Sequence, residues 1–211
     1  MNNTIKKVGL GVILAGLSVA PAVHATLLTT DPGTGTTTVF TTTGNQGFGN
    51  SGPVTLDGFS WSGNPQITYG NAGYGLSSNG NWSFSWIATN NGNGSITVDL
   101  GGDYDFVGGF MNYAPNSGGP ATITALAADG VTVLESYDLS ALAPISTPGQ
   151  TNGGAFRGIS RTQGDIRFFQ LSNDFIIIHS LEIGQSVPEP ATLALFGLGL
   201  FGLGFSRYKK A

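Results

Sequence analysis

The sequence predicts an all-β fold, an antiparallel β-sandwich or jelly roll, and three observations predict it. Short runs of alternating apolar and polar residues recur through the middle of the 211-residue chain, the period-2 signature of strands with one buried face. Clusters of Gly, Asn, Asp and Pro separate these runs, and 34 glycines with 10 prolines favour turns over long helices. Outside the termini, no 11-residue stretch shows a 3.6-residue apolar period. A fixed repeat is also missing, which argues against a β-solenoid.

The elements follow in chain order. Residues 26 to 50 are rich in Thr, Gly and Asn, and Thr36 to Thr43 reads as one edge strand between loops. Its consecutive threonines alternate sides, so they cannot form one flat ice-binding face. Val54 and Leu56, then Phe59 and Trp61, each share a face, and the odd spacing across Asp57-Gly58 predicts a bulge. Trp82, Phe84, Trp86 and Ala88 alternate with Asn81, Ser83, Ser85 and Ile87, and Ile96, Val98 and Leu100 alternate again. The turn signal Asn90-Asn91-Gly92-Asn93-Gly94 between them predicts a hairpin. A strand is expected from Asp105 to Tyr113, and a second hairpin around Asp129-Gly130 joins Ile123–Ala128 to Val131–Tyr137. One helical turn is expected at Leu139 to Ala143. Phe156–Ser160, Ile166–Leu171 and Phe175–Ile183 complete eight to ten strands. Apolar residues on both faces of Phe175–Ile183 mark a central strand covered on both sides.

The ends differ from this body. Lys6 and Lys7, the 13-residue apolar run Val8 to Ala20, Pro21 and Val23-His24-Ala25 read as a secretory signal peptide over residues 1–25, cut after Ala25. The body then spans 26–186. In the last segment, 187–211, Pro188-Glu189-Pro190 precedes an uncharged stretch from Ala191 to Phe205, and Arg207, Lys209 and Lys210 close the chain. As a helix, residues 191–205 reach roughly 22 Å against a hydrocarbon layer of about 30 Å. The basic cluster is expected to stay cytoplasmic.

This order closely resembles the PEP-CTERM sorting signal of Gram-negative bacteria, a tail also labelled the ice-binding protein C-terminal domain. The resemblance implies exosortase as a partner, a protease of the inner membrane that cuts near Pro188-Glu189-Pro190 after export. It implies transient passage through that membrane, a destination at the cell surface or outside the cell, and a setting of exopolysaccharide and biofilm. The body from Val107 to Ile183 is also similar to many PEP-CTERM exported proteins, through Gly108-Gly109-Phe110, Asp129-Gly130, Arg157-Gly158-Ile159 and the closing strand Phe175 to Ile183. Such bodies look like galactose-binding or carbohydrate-binding jelly rolls. Where relatives often carry two acidic residues in the closing strand, this chain has His179-Ser180.

Composition narrows the chemistry. Cysteine is absent, which excludes disulfides and thiol nucleophiles, and His24 and His179 are the two histidines. Between residues 26 and 187, three arginines face eleven carboxylates, a net charge of −8. Such a surface repels phosphate backbones and anionic lipids, so nucleic acid is not an expected partner. No Gly-x-Ser-x-Gly elbow and no phosphate loop occurs. His179 among isoleucines reads as a packing residue, and Trp82 and Trp86 read as core. Tyr69 and Tyr74, near Asn-rich loops, are the candidate sugar contacts. Asp103 and Asp105, two apart on a strand, are candidate calcium ligands and, less favourably, an acid–base pair of a secreted hydrolase. The expectation is therefore an exported, non-enzymatic protein of the cell surface or extracellular matrix, needing no cofactor. A carbohydrate-binding module with a structural calcium ion is the alternative.

Overall fold

The computed structural model describes residues 24–185. The signal segment before His24, Pro188-Glu189-Pro190, the apolar stretch 191–205 and the basic residues Arg207, Lys209 and Lys210 lie outside the described residues. Among the described residues no helix is long and apolar enough to cross a membrane.

Alternation of apolar and polar residues gives seventeen strands among the described residues: β1 (Ala25–Leu28), β2 (Thr36–Val39), β3 (Asn45–Asn50), β4 (Val54–Leu56), β5 (Phe59–Asn64), β6 (Ile67–Gly70), β7 (Tyr74–Gly75), β8 (Asn81–Trp82), β9 (Trp86–Thr89), β10 (Ser95–Tyr104), β11 (Phe106–Asn112), β12 (Thr122–Leu126), β13 (Val133–Asp138), β14 (Ala155–Arg161), β15 (Ile166–Ser172), β16 (Ile177–Ile178) and β17 (Ser180–Gly184). One helical turn, α1 (Leu139–Leu142), follows β13, capped by the Asp138 side chain, which accepts from Ala141 N. Two antiparallel sheets face each other. The larger runs β1-β14-β11-β16-β9-β6-β3, with β17 beside β11 and β2 beside β17. The smaller runs β13-β12-β15-β10-β5-β4. The all-β sandwich is thus the fold, in more and shorter strands than the sequence suggests. β2 has one partner, so Thr36–Val39 is an edge as expected, but the strand stops short of Thr43, and Phe40 and Thr42 are buried.

Between the sheets, Trp61, Ile96, Val98, Ile123, Phe169 and Leu171 of the small sheet meet Ile67, Ile87, Val107, Met111, Ile159 and Ile178 of the large one. All are fully buried, each stabilising the fold by about 1.5–3 kcal/mol for the larger side chains. A second core lies on the outer side of the large sheet. There Trp86, Ala88 and Ile177 are covered by Leu76 and Trp82 from the β7–β8 hairpin. Ile178 faces the first core and Ile177 the second, which explains why the closing segment is apolar on both faces.

Five sequence expectations are corrected. Asp57-Gly58 is a two-residue hairpin turn, not a bulge: Leu56 pairs with Phe59, and φ is 48° and 88° at the two turn residues. The run from Trp82 to Ala88 is broken into β8 and β9, and Phe84 leaves the alternation to become exposed. Asn90–Gly94 is not a hairpin, because β9 lies in the large sheet and β10 in the small one. Turn chemistry reverses the chain without selecting its next partner. Phe175–Ile183 splits at His179, where β11 changes register by one residue between its pairing with β16 and with β17. That extra residue is a bulge, which places Ile178 and Leu181 on the same side. Finally, β10 ends at Tyr104 and the chain bends at Asp105, so Asp103 is exposed while Asp105 is buried. The two carboxylates do not share a face.

Candidate functional site

Two of the grooves among the described residues bear on the candidate sites. The first, about 290 Å³, is lined by Thr41, Thr43, Thr55, Asp57 and Tyr69, where β4 and β6 meet the end of the Thr-rich segment. Tyr69 is half-buried and its ring packs against the core. Asp57 is occupied by the groove's own wall: Oδ1 accepts from Thr41 Oγ1 at 2.5 Å and Oδ2 from Thr41 N at 3.1 Å. Thr42 beneath is buried and bridges two strands, donating to Gly70 O at 2.7 Å and accepting from Trp86 N at 3.1 Å.

The second groove, about 400 Å³, lies on the outward face of the small sheet. Ser60, Ser62, Thr97, Asp99, Phe168 and the turn at Gly130 line it. Asp99 Oδ1 accepts from Arg167 Nε at 2.7 Å and from Gly101 N at 2.9 Å. Burial opposes the shift, but the Arg167 hydrogen bond, the Gly101 N–H and the Arg167 charge together hold the Asp99 carboxyl below its ordinary value. Asp99 stands opposite Phe168 in the register with β15, so Arg167 is the next residue along the partner strand. Both volumes fall near the lower end of the range of about 300–1,000 Å³ typical of ligand clefts.

The structure separates the two candidate tyrosines. Tyr69 lines a groove; Tyr74 does not. The Tyr74 ring lies 4.9 Å from that of Trp86, and its hydroxyl donates to Thr89 O at 2.8 Å. Burial pushes the Tyr74 phenol well above its usual value. The loop from Gly70 to Asn81, whose asparagines looked suited to a ligand, is a structural cap. Asn79 is buried and donates to Asn112 Oδ1, Tyr113 O and Ile145 O at 2.9–3.1 Å. In the Asn90–Gly94 turn, Asn91 Oδ1 accepts from Asn93 N and Asn93 Oδ1 from Gly119 N, both at 2.9 Å.

His179 stacks on Phe84 at 4.9 Å, and its Nδ1 lies 2.6 Å from Ser85 O, which only an Nδ1–H can bond. Trp82 and Trp86 are buried in the second core. Asp103 and Asp105 are not brought together, and no group of three His, Cys, Asp or Glu converges among the described residues. A side chain at Gly164 would press on Asp105 Oδ1 at 2.7 Å, so that carboxylate sits tight under the β14–β15 turn. The arginines are engaged as well. Arg161 binds Asp165 through Nε and Nη2, at 2.7 and 2.9 Å, and Glu135 through Nη1 at 2.8 Å. Arg157 donates to the carbonyls of Ala143, Pro144, Phe156 and Thr29. Ala25 opens β1, paired with Arg161, while His24 O accepts from Thr162 N at 3.2 Å.

Sequence reasoning missed Phe168. It sits beside Phe169 in an apolar run, and the visible signal was the alternation itself: Phe169 and Leu171 point inward, so Phe168 points out.

Fold and grooves define a β-sandwich with polar outer clefts. The segment after it carries the address: residues 186–209 match the PEP-CTERM protein-sorting motif. That motif marks an exosortase-sorted, secreted protein bound for the cell surface. No curated protein matches the chain.

Proposed function

We propose that the delivered β-sandwich is a non-enzymatic protein of the cell surface or extracellular matrix, held to exopolysaccharide in the biofilm of a Gram-negative cell. It reaches that place through a cleaved signal peptide and a transient stay in the inner membrane, and it holds no metal as a working part. One observation carries this reading: the groove on the small sheet is lined by hydroxyls, one aromatic ring and a carboxylate whose charge Arg167 already balances. Uncharged sugars suit such a lining, and phosphate-bearing polymers do not.

Two measurements test it. The double variant Pro188→Ala with Glu189→Ala should stay unprocessed and membrane-held in its native host; unchanged secretion of that variant contradicts the route. Secreted wild-type protein should co-sediment with the host's exopolysaccharide, equally with and without a chelator. Loss of binding on chelation would favour the calcium-bearing carbohydrate module instead.

A further inference from the structure

The outward face of the small sheet is ordered in rows. Register places Ser136, Thr124, Gln170, Thr97 and Ser62 opposite one another across five strands. A neighbouring row holds Asp138, Thr122, Ser172, Ser95 and Asn64. Strands lie about 4.7–4.9 Å apart, so hydroxyl and amide groups recur at that spacing. Several are fixed in advance: Gln170 Nε2 donates to Thr97 Oγ1 at 3.0 Å, and the Thr124 and Ser136 hydroxyls are 2.9 Å apart. The next row runs Phe168, Asp99, Ser60 and Thr55.

Phe168 is the large aromatic on this face. Its ring edge faces the Gly130 turn, where an added Cβ would lie 3.5 Å from Cε2, and ring and turn line the groove together. We infer that this groove, with the Thr97–Gln170 row beside it, binds a neutral pyranose polymer. Phe168 covers the C–H face of one sugar, and Asp99, Ser60, Ser62 and Thr97 bond its hydroxyls. This inference rests on the polysaccharide reading above and locates it.

Three physical points support the assignment. The C–H face of a pyranose is apolar and leaves water against a ring, while its hydroxyls exchange water for fixed partners. A carboxylate acceptor strengthens such bonds, and Arg167 at 2.7 Å keeps the site electrically balanced, so a neutral occupant fits and a polyanion meets no net attraction. A protein partner would need a more apolar centre than these hydroxyl rows offer.

The test uses the full secreted protein, titrated calorimetrically with soluble neutral glucan, galactan and mannan, and with a polyuronate as the charged probe. Phe168→Ala should weaken neutral-glycan binding about tenfold or more, and Asp99→Asn should weaken it too, with melting temperatures near wild type. Thr97→Val, which keeps the strand's shape, is the second variant should Phe168→Ala unfold. Neutral-glycan binding that survives all three substitutions overturns this site and leaves the polysaccharide reading standing; Tyr69→Ala then probes the other groove. Binding of the polyuronate alone, or of none of these glycans, overturns this site, and failure to co-sediment with the host's exopolysaccharide overturns the polysaccharide reading as well.

Discussion

The two outer faces of the sandwich use aromatic residues in opposite ways. On the large sheet, Trp86 and Ile177 are sealed beneath Leu76 and Trp82 of the β7–β8 hairpin. Tyr74 and Phe110 close the sides, with Trp82 and Phe110 ring centroids 5.7 Å apart. Trp86 Nε1 donates to Ala72 O at 2.9 Å. On the small sheet, the half-buried Phe168 lines a groove with Ser60, Ser62, Thr97 and Asp99. Richness in aromatics thus says little about ligands. A ring under a lid is there for burial, whereas Phe168 keeps part of its ring at the surface of a groove.

Breaking the sealed face should be costly. Trp82→Ala removes a fully buried indole, with an expected loss of about 3–5 kcal/mol, and a chemical denaturation curve measures it. A loss no greater than that of Phe168→Ala would show that the two faces do not differ in this way. Asn79→Ala follows. It removes an Nδ2 group within hydrogen-bond distance of three acceptors, plus the Oδ1 that accepts from Thr147 N. Buried partners left unbonded predict a loss of about 2–3 kcal/mol, with faster hydrogen exchange in the 74–82 segment.

The large sheet also carries a pH signature. Glu182 is buried beside β2, accepting from Gly35 N at 3.2 Å. Burial, together with the nearby Asp31 carboxyl, pushes its carboxyl above the ordinary value. The folded state therefore holds this proton more tightly than the unfolded chain does. Its contribution is full below the ordinary glutamate value of about 4.3 and is lost as pH rises through the raised native value. Glu182→Gln should flatten thermal stability across that window and raise it at neutral pH. A variant whose melting temperature follows pH as wild type does would refute the assignment. The open face should respond least. Asp99 and Arg167 are each about one-third exposed, so breaking that pair by Arg167→Ala should change stability by about 0–1 kcal/mol. Any change should shrink further in high salt.

Much of the fold was legible in local pattern. Alternation around Ile96, Val98 and Leu100 marked a strand, Asp129-Gly130 marked a hairpin, and Leu139 to Ala143 a helical turn; all three stand in the structure. Asp129 shows why such turns are readable. Its side chain accepts from Thr132 Oγ1 and from the amides of Val131 and Thr132, and these bonds hold its carboxyl down to about 2. Everything that specifies that turn lies within four residues. The grooves were less legible. Tyr69 was visible as a candidate, but Tyr74 was indistinguishable from it until Trp86 and Thr89, twelve or more residues away, came into contact.

The sequence by itself determined the β class, several of the turns and the sorting motif, because each is written in neighbouring residues: a period of two, a dipeptide with the right backbone freedom, a tripeptide before an apolar run. Only the tertiary structure decided which sheet each strand joined, what covers Trp86, and that Phe168 lines a groove. Those outcomes depend on pairing between residues dozens of positions apart, where the free energy of burial is shared among partners that no local pattern names.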